Sequence, residues 1–150
     1  MSLKQKIYED LKIAMKAGDT LRRETLRMLD SMIKNTEIEK MKKKEGLTDE
    51  ETQAVIIRAI KQRKDSVEQY EKGGRPELAD KEKKEIEILA SYLPEQMGEK
   101  EIRKIVKETI AQLEVTTKAE MGNVMGSVMG KLKGKADGNV VKKIVEEELK

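Results

Sequence analysis

Aliphatic residues return every three or four positions through nearly the whole chain, and each run stops at glycine, proline or a capping residue. That spacing lines apolar side chains along one face of an α-helix and conflicts with the two-residue alternation of a half-buried strand. The 150 residues include 2 prolines, 3 tyrosines and no Phe or Trp, so the aromatics that strands favour are scarce. An all-α protein is expected, with a core of aliphatic and methionine side chains.

Charged residues make up 41% of the chain, yet the net charge is only +3. Alternating Lys and Glu therefore read first as solvated helix surface, and the net charge does not establish nucleic-acid binding. The absence of cysteine removes disulfides, thiol chemistry and thiolate metal sites. The absence of histidine removes the commonest general base and metal ligand. No catalytic residue, cofactor or metal is assigned. No apolar run approaches the ~18 residues that a membrane span needs. The amphipathic start, MSLKQKIYEDL, carries acids and lacks an apolar signal core, so a cytoplasmic location is expected.

Four helices are expected in an N-terminal domain, residues 1–94. Ser2 caps the first, whose inward face is Leu3, Ile7, Leu11, Ala14 and Met15, and Gly18 ends it in a left-handed cap. Asp19 caps the second, carrying Leu21, Leu26, Leu29, Met32 and Ile33, and residues 40–46 read as a frayed end and loop. Thr48 and Glu51 form a capping box for the third, which Gly73-Gly74 breaks. The fourth follows Pro76, with Leu78, Ile86, Leu89, Ala90 and Leu93 inward, and stops before Pro94. Arg63 falls in the middle of the third apolar stripe and Glu82 in the middle of the fourth. An antiparallel hairpin would bring Arg63 to Glu82 or Glu85 as a structural ion pair.

A C-terminal domain, residues 95–150, is expected to be a three-helix module. Its first helix carries Ile102, Ile105, Val106, Thr109, Ile110 and Leu113 on one face. Thr117 and Glu120 suggest a capping box for the second, and Asp137 a cap for the third. The second helix holds the most unusual local chemistry. Gly122, Gly126 and Gly130 stack along one side, beside Met121, Met125 and Met129, and each glycine costs a helix roughly 0.5–1 kcal/mol relative to alanine. Close packing by a neighbouring helix is one reading. A surface groove continuing past Gly134 and Gly138, where an RNA backbone or a partner helix settles, is the other. The lysines that would meet RNA phosphates are Lys131, Lys133 and Lys135, joined by Lys142 and Lys143.

Two segments, IKQRKDSVEQYEKGGRPELADKEKKEIEILASYLPEQM (Ile60 to Met97) and MGNVMGSVMGKLKGKADGNVVKKIVEEEL (Met121 to Leu149), resemble the YqeY family. The C-terminal part is similar to the tail domain of the B subunit of the tRNA-dependent Asp/Glu amidotransferase. The resemblance implies two helical parts, a cytoplasmic location and an association with tRNA, which the amidotransferase tail contacts. It also brings the description carbon–nitrogen ligase with glutamine as amide donor, for which this chain has no cysteine nucleophile or nucleophile–histidine pair. The expected function is a tRNA-associated accessory protein. A protein-binding adaptor, docking on a synthetase or amidotransferase through its methionine face, is the alternative.

Overall fold

The computed structural model describes residues 1–149, and among them are seven α-helices and no strand. The helices are α1 (Leu3–Ala17), α2 (Thr20–Glu39), α3 (Asp49–Lys72), α4 (Pro76–Ala90), α5 (Glu99–Leu113), α6 (Met121–Leu132) and α7 (Gly138–Glu148). They fall into two compact units, Met1–Leu93 and Pro94–Lys150.

In the first unit, α3 and α4 form a long hairpin on which α2 packs, while α1 lies against α2 and α3. Ser2 and Gln5 close a capping box on α1, and Thr48 and Glu51 close one on α3. Asp19 accepts the Arg22 amide at the start of α2. Each such cap is worth about 1 kcal/mol. Gly18 (φ 69°) ends α1 in the left-handed region. At the hairpin turn Gly74 takes φ 71°, where a side chain would be strained, and Pro76 opens α4. The core gathers Ile7, Leu26, Leu29, Ile33, Ile56 and Leu89, each nearly or wholly inaccessible to water. Each contributes roughly 1.5–3 kcal/mol by leaving water.

Several expectations are corrected by this packing. Met15 and Ala90 face solvent, and Tyr92 packs inward instead, donating its hydroxyl to Asp10 Oδ2 at 2.6 Å. Residues 40–46 form a fixed turn, not a frayed end. The Lys42 amide donates to the Glu37 carbonyl, the Gly46 amide to the Lys42 carbonyl, and Gly46 takes φ 77°. Glu37, only 4% exposed, accepts both the Lys4 ammonium (2.7 Å) and the Leu47 amide (3.2 Å), so one carboxylate ties α1 and the turn to α2. Lys40 and Lys42 both pair with Glu51.

In the second unit α5, α6 and α7 pack pairwise around Val106, Val124, Val128, Leu132, Val141 and Ile144. The expected capping box of Thr117 and Glu120 does not form. Lys118–Glu120 tightens into a 3-10 turn, and neither residue's side chain caps a helix. Arg103 on α5 clamps this unit, donating to Glu147 (2.6 Å) and Glu148 (2.7 Å) on α7 and to Glu99 (3.2 Å) on its own helix.

Candidate nucleic-acid interface

Leu132 is buried and anchors the end of α6, after which the chain must turn back sharply to begin α7. Two successive residues turn it by adopting positive φ, Lys133 at 33° and Gly134 at 80°. Glycine takes that region freely, whereas a left-handed lysine costs roughly 1–2 kcal/mol. The turn is fastened on both sides. Gln96 donates to the Gly134 carbonyl (2.7 Å), and the Met97 amide donates to the Lys135 carbonyl (2.8 Å). Ala136 is buried beneath it, and the Asp137 carboxylate accepts the Asn139 amide to start α7. Lys133 and Lys135 thus stand exposed on a fixed backbone, with no ion pair among the described residues.

The five candidate lysines are not equivalent. Lys131 is turned onto α5, where its ammonium donates to Thr109 (2.9 Å) and Gln112 (3.0 Å). Lys142 and Lys143 are exposed on α7, and Lys143 lies near enough to Glu147 to help hold that carboxyl below its usual range, after the larger effect of Arg103. Lys133 and Lys135 are the pair that the turn itself presents.

The five glycines also separate. Gly122, Gly126 and Gly130 are exposed, and a Cβ added to any of them would meet no neighbouring atom within 4 Å. Close packing by another helix of the fold, one of the two readings of the stripe, is therefore overturned: α5 and α7 lie on the valine side of α6. Gly134 serves the left-handed turn. At Gly138 an added Cβ would lie 3.8 Å from Met129 Cε, in ordinary contact. Met121, Met125 and Met129 are half-buried and pack against the core of the unit.

The first unit brings Arg63 and Glu85 together. Arg63 is 8% exposed; its Nε donates to Glu85 Oε2 at 3.0 Å and its Nη1 to the Ala59 carbonyl at 3.2 Å. Glu82, one helical turn before Glu85 on α4, lines the same cleft and forms no ion pair of its own among the described residues. Burial, and then the neighbouring Glu85 charge, hold the Glu82 carboxyl above its usual range despite the opposing pull of Arg63. These groups line an open cleft of about 350 Å³ between α2, α3 and α4, together with Glu24, Met28 and Lys81. No group of His, Cys, Asp or Glu among the described residues is arranged to hold a metal.

Arg103, Glu37, Gln96 and Met97 had no sequence signal, because each acts through a partner distant in the chain. Such structure defines an all-helical protein whose second unit is a three-helix module presenting a basic turn. A family model described as Yqey-like protein matches residues 4–149, and the chain belongs to the YqeY family.

Three curated relatives share the name Altered inheritance of mitochondria protein 41, mitochondrial. The one from Lachancea thermotolerans is 42% identical over 87 residues, 58% of this chain and 46% of the relative. That from Vanderwaltozyma polyspora is 41% identical over 88 residues, 58% of this chain and 46% of the relative. The Kluyveromyces lactis protein is 42% identical over 86 residues, 57% of this chain and 45% of the relative. The matched stretch thus spans less than half of each relative. Their names overturn the expectation of a cytoplasmic location, since they point to mitochondria. Compartment is carried by targeting segments, so neither the composition of a helical domain nor the lack of an apolar signal core in MSLKQKIYEDL supplies it.

Proposed function

We propose that this protein is a tRNA-associated accessory protein that grips RNA backbone with the basic turn of its second unit. The observation that carries this reading is the pair Lys133 and Lys135, exposed and without acidic partners among the described residues, on a turn fixed by Gln96, Met97 and Asp137. A fixed turn loses little freedom on binding, so two ammonium groups held there bind phosphate at lower entropic cost than two on a mobile loop. No aromatic side chain occurs in residues 94–150, so bases have no stacking platform and recognition is by shape and backbone. The similarity of this part to the amidotransferase tail domain makes tRNA the leading RNA.

The open edge of α6 favours a second reading. A partner's helix could approach Gly122, Gly126 and Gly130 more closely than side chains normally permit, making the protein an adaptor. The two readings separate in one experiment: tRNA affinity measured across a salt series for the wild type and for Lys133→Ala/Lys135→Ala. If the two lysines neutralise phosphates, the salt slope should fall by roughly 0.7–0.9 for each phosphate that the variant leaves unneutralised. Binding with an unchanged slope, or no binding at low salt, defeats the RNA reading.

A further inference from the structure

The cleft between α2, α3 and α4 gathers charges of both signs that the RNA reading does not use. Arg63 lines it while only 8% exposed, with Nε committed to Glu85 and Nη1 to the Ala59 carbonyl. Its Nη2 has no acceptor among the described residues and is not sealed from water, so it stays open to a ligand in the cleft. A guanidinium fixed at two nitrogens presents the third in a set direction, which suits a carboxylate. Glu82 on α4 and Glu24 on α2 line the same cleft without an ion pair among the described residues, and Glu82 stands beyond ion-pair distance of the Arg63 guanidinium. Lys81, exposed on α4, is the second cation. A lone anion entering here would face two free carboxylates, and a lone cation would face Arg63 and Lys81. A small molecule that carries both charges can set each against its opposite. Met28, 55% exposed, adds an apolar wall. At about 350 Å³ the cleft falls at the lower end of the ~300–1,000 Å³ typical of small-ligand sites. We propose that this cleft binds a free α-amino acid, with its carboxylate on Arg63 Nη2, its ammonium on Glu82 and Glu24, and its side chain against Met28.

Such a site needs both ends of its ligand. The test is amide NMR of the isotopically labelled full chain, titrated to millimolar concentration with each proteinogenic L-amino acid in turn. Acetate and methylamine, each carrying one of the two charges, serve as controls. At least one amino acid should cause saturable shifts at residues 62–66 and 81–85, while acetate and methylamine leave those amides unmoved at the same concentration. Glu82→Gln should weaken the binding of that amino acid about tenfold or more, the loss of one charge-assisted hydrogen bond. Glu82 holds no ion pair among the described residues, so this variant breaks none of the fold's salt bridges. If it nonetheless folds poorly, Glu24→Gln on the exposed side of α2 takes its place, with the same weakening expected. No saturable shift with any amino acid, equal shifts with acetate or methylamine, or unchanged affinity in the folded variant overturns the proposal.

Discussion

Glu37 and Arg63 are both charged, both almost inaccessible, and only one of them was legible in the sequence. Arg63 interrupts an apolar stripe, so its neighbours in the chain reveal that it lies against the core, and the hairpin geometry limits its partners to two. Glu37 follows Thr36 at the end of α2, where a glutamate normally faces water; its partners Lys4 and Leu47 lie 33 and 10 residues away. Periodicity reports which face a residue occupies, not which distant group meets it there. Both positions give stability predictions. Arg63→Met strands the half-enclosed Glu85 carboxylate without its cation and should cost roughly 3 kcal/mol in urea unfolding. Glu37→Ala leaves the buried Leu47 amide without an acceptor and frees Lys4, at about 2 kcal/mol by the same measurement.

At the scale of elements, capping chemistry was readable where one residue type fits one geometry, as at Ser2, Asp19, Thr48 and Asp137. Thr117 and Glu120 carry the same letters as Thr48 and Glu51 but enter a 3-10 turn, because the spacing alone does not fix the backbone that must precede a helix. The Thr48–Glu51 cap has a pH signature. The Lys42 ammonium foremost, with the Thr48 amide, holds the Glu51 carboxyl down at about 2, so its contribution is present above the ordinary carboxylate range and is lost as pH falls towards 2. The thermal midpoint of wild type should therefore fall more steeply below pH 4 than that of Glu51→Gln. Helix α6 provides the sharpest contrast between sequence and structure. Its apolar face was visible, but whether the glycine side is covered depends on where α5 and α7 lie. Since nothing touches that side, Gly126→Ala should stabilise the protein by about 0.5–1 kcal/mol in denaturant unfolding. A helix that forgoes this stability keeps an edge open for a partner, and the same substitution should weaken whatever settles there.

Across the whole molecule, the all-helical class follows from spacing and composition, since a chain this poor in aromatics and β-branched alternation has few other ways to bury its aliphatics. Where RNA would bind is less legible, because lysines are common on every surface of this protein. Structure sets some of them aside by what they already hold, and marks Lys133 and Lys135 by the fixed turn that carries them. Lys4, Lys40 and Lys42 are engaged with acids, Lys131 is engaged with α5, and Lys133 and Lys135 are presented without an acidic partner among the described residues, on a fastened turn. The most direct test is titration of a tRNA transcript into the isotopically labelled full chain, followed by amide NMR at low salt. The account predicts shifts concentrated at residues 133–138, disappearing as salt is raised. Shifts confined to residues 1–93, or no change at any tRNA concentration, would contradict it.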